Sequence, residues 1–458
     1  MSEADLKQSR RRLERSRVPT GRAERFAKFG WLAGRMALGA AAEGVRRASG
    51  AAAGVGHVAL SGANARRLAE SLSSMRGAAM KLGQLLSLET EDILPGEVAD
   101  ILATLRDSGD AMPREQLETV LRQAWGPAWR DRFTDFDFEP IAAASIGQVH
   151  TATSRDGREL ALKIQYPGVA RSIDSDVDNL ATALRLARVL PREIDFAPLL
   201  AEAKRQLREE ADYLTEADHL RRYGALLADE PGVAVPDVHD DFTTKTILAM
   251  DRLHGVPLED LCGGEHDDAR RDETATLLLR LVLREFFEFH FLQSDPNFAN
   301  YLLLRDGRVG LIDLGAGYAA PPELCRSYAR LFRAAQRDDR EGIAAAAEEI
   351  GFVEPGDEAA AREALVELIR LVTEPFRCEG PYDFAASDLP VRAREASLAL
   401  VFERRFWRPP PPPTIFLQRK LGGTFLLCVR LRARVDARAL LEAALDAADP
   451  EDPGGGAR

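Results

Sequence analysis

The string Gln293-Ser294-Asp295-Pro296-Asn297-Phe298-Ala299-Asn300, with the segment Val309-Gly310-Leu311-Ile312-Asp313-Leu314-Gly315 that follows it, decides how the chain is read. Asn300 stands five residues after Asp295, and Asp313 thirteen residues after that. This is the spacing of phosphoryl-transfer sites in which a loop aspartate orients the acceptor while an asparagine and a second aspartate hold Mg²⁺ on the phosphates. Magnesium takes hard oxygen ligands and borrows several from the phosphates, so one carboxylate and one amide oxygen suffice on the protein side. Asp295 is left clear of the metal, able to accept a proton or position a water. Alone, an Asp-x-x-x-x-Asn string is a common turn former. The Val309–Ile312 run, which reads as a strand ending in an Asp-Leu-Gly turn, and further parts upstream reverse that balance.

Those parts occur in the right order. Ile141-Ala142-Ala143-Ala144-Ser145-Ile146-Gly147-Gln148-Val149-His150 takes the place of a phosphate-covering loop, and Leu160-Ala161-Leu162-Lys163-Ile164 reads as a strand carrying one lysine. A lysine there holds the α- and β-phosphates and needs a glutamate partner from a following helix. The helix expected over about 197–223 offers Glu209, Glu210, Asp212 and Glu216. An exposed strand lysine and a solvated acidic helix face are the competing readings. In the loop, Ala142, Ala143, Ala144 and Ser145 stand where glycines would let the backbone approach phosphate. Each added Cβ stiffens the segment, so nucleotide is expected to be gripped differently there. Strands are expected over 136–143, 148–153, 159–165 and 245–250, and Met250-Asp251-Arg252-Leu253, just before Gly255-Val256-Pro257, reads as a hinge that places Met250 and Leu253 against nucleotide.

Further toward the N-terminus, a helix over about 64–88 carries Leu68, Leu72, Met75, Leu82, Leu85 and Leu86 at helical spacing, so one face must dock on something. Lys81 and Gln84, three apart, share a face, with Gly83 between them allowing close backbone approach. They either plug a cleft or face solvent.

Together these strings resemble the UbiB/AarF family of atypical kinases, and within it the branch that supports coenzyme Q biosynthesis. The matching stretches are Arg76–Gln84, Ala142–His150, Glu210-Ala211-Asp212 with Glu216, Gln293–Asn300, Asp313–Gly315 and Gln418-Arg419-Lys420-Leu421-Gly422-Gly423. The resemblance runs from about residue 17, at Arg17-Val18-Pro19-Thr20, to about 445. It implies an α+β, atypical protein-kinase-like two-lobe fold with an N-terminal helical extension, and an atypical kinase or ATPase with ATP or ADP and Mg²⁺ as ligands. Lys163 would contact phosphates and pair with Glu216, Asn300 and Asp313 would ligate Mg²⁺, and Asp295 would be the catalytic-loop aspartate. Lys81 and Gln84 would reach into the cleft, with Glu210 and Asp212 as nearby acidic partners. Two departures stand out: the metal turn is Asp-Leu-Gly instead of Asp-Phe-Gly, and Gln293-Ser294 replaces the His-Arg of protein kinases. The second argues against ordinary protein kinase activity.

Composition is that of a globular protein, with 45% apolar and 29% charged residues among 458. Cys262, Cys325, Cys378 and Cys428 lie far apart, which points to free thiols in a reducing compartment without zinc or disulfides. Residues 1–50 hold twelve Lys or Arg against five Asp or Glu, a surplus of seven in a chain of net charge −12, leaving the remainder at −19. A basic arm on an acidic body points to an anionic surface, and the absence of nucleic-acid motifs together with 7% aromatics favours a membrane face over nucleic acid. Arg35 and Glu43 interrupt the apolar stretch 29–45, so it neither spans a bilayer nor reads as a secretory signal; it forms an interfacial helix or packs on the body.

The domain order expected is a basic arm and helical extension over 1–125, a small lobe over 126–252, a large lobe over 253–448 that is all-helical beyond the metal turn, and a disordered tail over 449–458. A helix is expected over 268–292 with Phe286, Phe287, Phe289 and Phe291 in the core, and Pro409–Pro413 is expected to be extended. Two function classes follow. One is an Mg²⁺-dependent atypical kinase or ATPase serving quinone-lipid biosynthesis, in the cytoplasm and peripheral at the inner membrane face. The other is a nucleotide-gated lipid- or protein-binding scaffold without phosphotransfer. Nucleotide, an anionic membrane surface or quinone-like lipid, biosynthetic enzymes and a second copy of the chain are the partners expected.

Overall fold

The computed structural model describes residues 111–144, 146–186, 197–263, 267–295, 297–400, 406 and 410–448. The basic arm, the helix bearing Lys81 and Gln84, Ser145, and the tail 449–458 lie outside the described residues. The described chain forms two compact units. The first takes the chain up to Arg221 together with Asp237–Arg252, and the second takes Arg222–Pro236 and the chain from Leu253 onward.

In the first unit, helix α1 (Arg114–Trp125) buries Leu117, Val120 and Leu121 on one stripe and ends at Gly126, whose φ of 85° suits a residue without Cβ. Strands β1 (Phe133–Phe136), β2 (Ala142–Ala143), β3 (Gly147–Ser154) and β4 (Glu159–Gln165) follow. Then come helices α2 (Val169–Leu186), α3 (Ala197–Glu210) and α4 (Tyr213–Leu226). After β5 (Val233–Ala234), which belongs to the second unit, β6 (Ile247–Asp251) completes an antiparallel sheet of order β1-β3-β4-β6, with β2 paired to β3. The period-2 alternation of β4 sends Leu160, Leu162 and Ile164 into a core shared with Leu117, Leu121, Trp129, Phe133 and Phe242. Ala161, Lys163 and Gln165 therefore face the opposite side.

Two expectations are corrected here. The single strand over 136–143 is instead β1 and β2, because Asp137 accepts from the Glu139 N–H at 2.9 Å in a turn and Pro140 has no N–H for a ladder. The single helix over 197–223 is α3 and α4. The Ala211 carbonyl accepts from Gln165 Nε2 at 2.7 Å, and Asp212 Oδ1 accepts from the Leu214 N–H at 3.1 Å, which starts a new helix with an aspartate cap.

The second unit contains a four-stranded sheet of order β5-β10-β9-β7, formed with β7 (Gly255–Pro257), β9 (Tyr301–Leu304) and β10 (Val309–Leu311). Helix α5 (Asp268–Phe287) is capped by Asp267, which accepts from the Arg270 N–H; its first turns are charged and reach solvent, and from Thr274 onward most of its side chains are buried. It ends at Phe287 and not at 292. The Phe289 N–H returns to the Arg284 carbonyl and His290 takes a left-handed φ of 48°, turning the chain into β8 (Phe291–Gln293). Phe286, Phe287 and Phe291 are core residues, whereas Phe289 is half-buried beneath the Arg284 guanidinium.

Beyond the Asp313-Leu314-Gly315 turn the unit is not all-helical. Strand β11 (Gly317–Ala319) pairs with β8, and after helices α6 (Pro322–Gln336), α7 (Arg340–Ile350), α8 (Ala359–Val372) and α9 (Glu374–Arg377) comes β12 (Tyr382–Asp383). Helix α10 (Leu389–Leu398) and the long α11 (Pro412–Leu431) follow. Strand β13 (Arg434–Val435) pairs with β12, and α12 (Ala437–Ala448) closes the described chain. The proline run is only partly extended: Pro412 and Pro413 form the first turn of α11, where N–H groups have no intrahelical partner to lose.

Candidate functional site

On the inner face of β4, Lys163 lies opposite Val149 of β3 and Leu248 of β6. Its Nζ donates to both oxygens of Glu216, at 2.7 and 2.9 Å. Glu216 sits in the first turn of α4, so the Asp212 cap that starts this helix also sets the height of the carboxylate. The two side chains are 8% and 2% exposed, and the Tyr213 ring lies 5.4 Å from the ammonium. Of the four acidic candidates Glu216 is therefore the partner. Glu209 pairs with Arg205, Asp212 is the cap, and Glu210 is half-buried at the end of α3.

The alanine-rich segment is a hairpin. Ala142 pairs with Val149, Ala143 with Gln148, and the Ala144 N–H donates to the Gly147 carbonyl at 2.9 Å. Ala142 and Ala143 are exposed and Ala144 is half-buried. Gly147 is the position that tolerates no Cβ, which would collide with the Ile164 carbonyl oxygen and lie 2.9 Å from the Tyr213 hydroxyl.

Below the hairpin runs a buried polar chain that the sequence reading did not single out. The Met112 N–H donates to Gln148 Oε1 at 2.8 Å, Gln148 Nε2 lies 2.6 Å from His150 Nε2, and His150 Nδ1 lies 2.8 Å from the Asp137 carbonyl. Burial holds the His150 pKa down at about 4, so the ring is neutral, donating through Nδ1 and accepting through Nε2. Met250 of β6, paired with Ala161, is buried on the same face of the sheet as Lys163. Leu253 begins the second unit and packs toward Gly310.

Within the second unit, the Asp295, Asn300 and Asp313 segments are tied together by the backbone and by Gln293. Asn300 Nδ2 donates to the Asp295 carbonyl at 2.9 Å, across a short 3₁₀ turn (Phe298–Asn300) capped by Asn297. The Ile312 N–H donates to the Asn300 carbonyl, and Asp313 Oδ1 accepts from the Gly315 N–H at 3.1 Å. Gln293 Oε1 accepts from the Asp295 N–H at 3.1 Å, while its Nε2 donates to the Asp313 carbonyl at 3.3 Å. The Asn300 nitrogen is committed to a carbonyl, and its amide oxygen and the Asp313 carboxylate are hard oxygens of the kind Mg²⁺ accepts when phosphate and water complete its shell. Among the described residues no group of three His, Cys, Asp or Glu is arranged to hold a metal by protein ligands alone.

Helix α11 contributes residues that sequence reasoning had counted in a matching string without giving them a role. Lys420 Nζ donates to Gln293 Oε1 at 3.0 Å and to the Tyr301 hydroxyl at 3.1 Å, with Glu285 Oε2 at 3.7 Å. Arg419 donates through one terminal nitrogen to Asp295 Oδ1 at 3.2 Å. Burial acts to lower the Lys420 pKa, but the charge of Glu285, with Tyr301, outweighs it and holds the ammonium above its ordinary range. Burial pushes the Tyr301 hydroxyl up. These groups enclose a cavity of about 10 Å³ lined also by Asn300 and Asp313, roughly room for one water molecule. The signal available in the sequence was two adjacent cations in the middle of a largely apolar helix, since buried Arg and Lys require partners.

Residues 104–347 match the ABC1 atypical kinase-like domain, slightly more than half of the chain. The chain is 39% identical over 431 residues to the rat "Atypical kinase COQ8B, mitochondrial", covering 93% of this chain and 81% of that protein. It is 35% identical to the Saccharomyces cerevisiae "Atypical kinase COQ8, mitochondrial", covering 94% and 86%. Among solved structures, Rv3197 of Mycobacterium tuberculosis, determined as an erythromycin complex, is similar with a TM-score of 0.58 and 27% identity, over 84% of this chain and 96% of that one. The mixed helix-and-sheet fold is kinase-like, and the chain belongs to the UbiB/AarF family of atypical kinases, whose ABC1 domain it carries.

Proposed function

We propose that the chain binds Mg²⁺-ATP and uses it as an atypical kinase or ATPase in support of ubiquinone biosynthesis at a membrane surface. The observation that carries the reading is the buried Lys163–Glu216 pair, since an ammonium held by both oxygens of one carboxylate is oriented to meet phosphate oxygens. Lys163 binds the α- and β-phosphates. Glu216 keeps the ammonium in place, and the backbone of the Ala142–Ala144 hairpin with Ser145 covers nucleotide, with Met250 and Leu253 against the base. Asn300 and Asp313 hold Mg²⁺, which neutralises charge on the transferred phosphoryl group when bound. Asp295 accepts the proton of the attacking hydroxyl or water.

The quinone-lipid assignment rests on the family branch that the motifs resemble and on the COQ8 relatives. Those relatives are named mitochondrial, and among the described residues no helix is long and apolar enough to cross a membrane. The basic arm is the element we assign to an anionic membrane face, with biosynthetic enzymes and a second copy of the chain as further partners. We assign to Lys81 and Gln84, with Glu210 and Asp212 as their acidic partners, the role of restricting access to the acceptor. A second reading, a nucleotide-gated lipid- or protein-binding scaffold, is favoured by the Cβ atoms exposed along the hairpin.

ATP turnover by purified protein, with and without anionic liposomes and quinone-like phenols, separates the two. Turnover lost in Asp295→Ala supports the enzyme reading. Nucleotide binding without turnover under any condition overturns it in favour of the scaffold. Deleting residues 1–35 is expected to weaken liposome binding, and equal sedimentation of both forms would remove the membrane role of the arm.

A further inference from the structure

We propose that Arg419, with Lys420 beside it, is a positioning residue for Asp295; this rests on the reading of Asp295 given above. Both cations lie on α11 and are nearly out of water, 5% and 3% exposed, in a helix whose other buried side chains are mostly apolar. Each reaches into the same short string. Lys420 bonds Gln293 Oε1, the atom that also accepts from the Asp295 N–H, and the other end of that amide holds the Asp313 carbonyl. Lys420 therefore fixes the backbone on which both carboxylates are mounted, and Arg419 fixes the direction of the Asp295 carboxylate itself.

The atoms of Asp295 are then used as follows. Its N–H goes to Gln293, its carbonyl accepts from Asn300, and its Oδ1 accepts from Arg419. Oδ2 has no partner among the described residues, so one oxygen in one orientation remains to take a proton from the acceptor. A general base needs that geometry within hydrogen-bond reach, and small rotations degrade it. The contact is also poor as a stabilising bridge. It uses a single nitrogen where a guanidinium can bond a carboxylate with two, and Arg419 Nε is buried with no hydrogen-bond partner among the described residues. The arrangement serves orientation better than it serves stability.

The test is steady-state ATP turnover and Mg²⁺-ATP binding by full-length wild type, Arg419→Gln and Arg419→Lys. Arg419→Gln is expected to lower kcat at least tenfold with KM and Kd for Mg²⁺-ATP within twofold, and Arg419→Lys, which keeps the charge without the planar fork, to fall between the two. Unchanged kcat overturns the proposal. A parallel loss of kcat and nucleotide affinity also overturns it, since Arg419 would then be binding phosphate. Should Arg419→Gln fail to fold, Arg419→Lys is read alone, and a kcat within twofold of wild type sinks the idea. Wild-type protein that neither binds nor turns over Mg²⁺-ATP overturns the underlying function and the positioning role together, whereas an active wild type with an unaffected Arg419→Gln removes the positioning role only.

Discussion

Lys163 gives two hydrogen bonds to a single carboxylate, that of Glu216, from a site where both side chains are buried. Removing one partner leaves the other's charge buried without this counter-ion, at a cost of about 3–5 kcal/mol. Lys163→Met and Glu216→Leu are each expected to destabilise the protein by that amount, and the double variant to recover most of it because no charge remains. Urea denaturation of the three variants checks this. A double variant less stable than both singles would mean that the pair itself, and not the charge left buried, decides the loss.

Asp313 and Asn300 offer magnesium one carboxylate and one amide oxygen. Asp313→Asn keeps an oxygen for the Gly315 N–H but removes the negative charge, so Mg²⁺-dependent stabilisation by ATP is expected to vanish while the melting temperature without ligand changes little. Thermal shifts with Mg²⁺-ATP that match wild type would take the metal away from this residue.

The exposed Cβ atoms of Ala142 and Ala143 bear on how closely the hairpin backbone can approach phosphate. Replacing either with Gly is expected to change the dissociation constants of ATP and ADP. Constants that both stay within about twofold, a difference of ~0.4 kcal/mol, would show that the hairpin does not cover nucleotide.

His150 makes stability pH-dependent in a defined direction. Its folded pKa of about 4 lies below the ordinary 6.5, so the neutral ring is favoured by folding. The stabilisation is complete above about pH 6.5 and is lost as the pH falls toward 4, amounting to roughly 3 kcal/mol over the whole interval. Wild type is expected to lose more stability than His150→Gln between pH 7 and pH 5, by about 2 kcal/mol in urea titrations. Parallel losses would mean that the ring titrates in the folded protein as it does in the unfolded chain.

What the sequence made legible was local. Leu160, Leu162 and Ile164 flanking Lys163 made a buried, paired lysine as good a reading as an exposed one, and the Asp295-x-x-x-x-Asn300 string marked a turn in which Asn300 does bond the Asp295 carbonyl. What escaped it was made by contacts distant in the chain. The break between α3 and α4 depends on Gln165 capturing the Ala211 carbonyl, 46 residues away, and no local propensity announces it. The end of α5 depends on a left-handed His290 inside a run that still reads as apolar and helical. Arg419 meets Asp295 across 124 residues, so neither string points to the other. Gln148 and His150 lay within a segment read for its alanines, and their inward-facing polarity was visible only once the hairpin closed.

Pro411, Pro412 and Pro413 give α11 a fixed starting phase, because the helix cannot be extended backward through residues that lack an N–H. Arg419 and Lys420 are counted from that origin. One residue inserted between Thr414 and Gln418 would carry both cations about 100° around the axis and about 1.5 Å along it, away from Asp295 and Gln293. Over its first two turns α11 is thus a ruler, tolerant of exchanged side chains but not of a change in length.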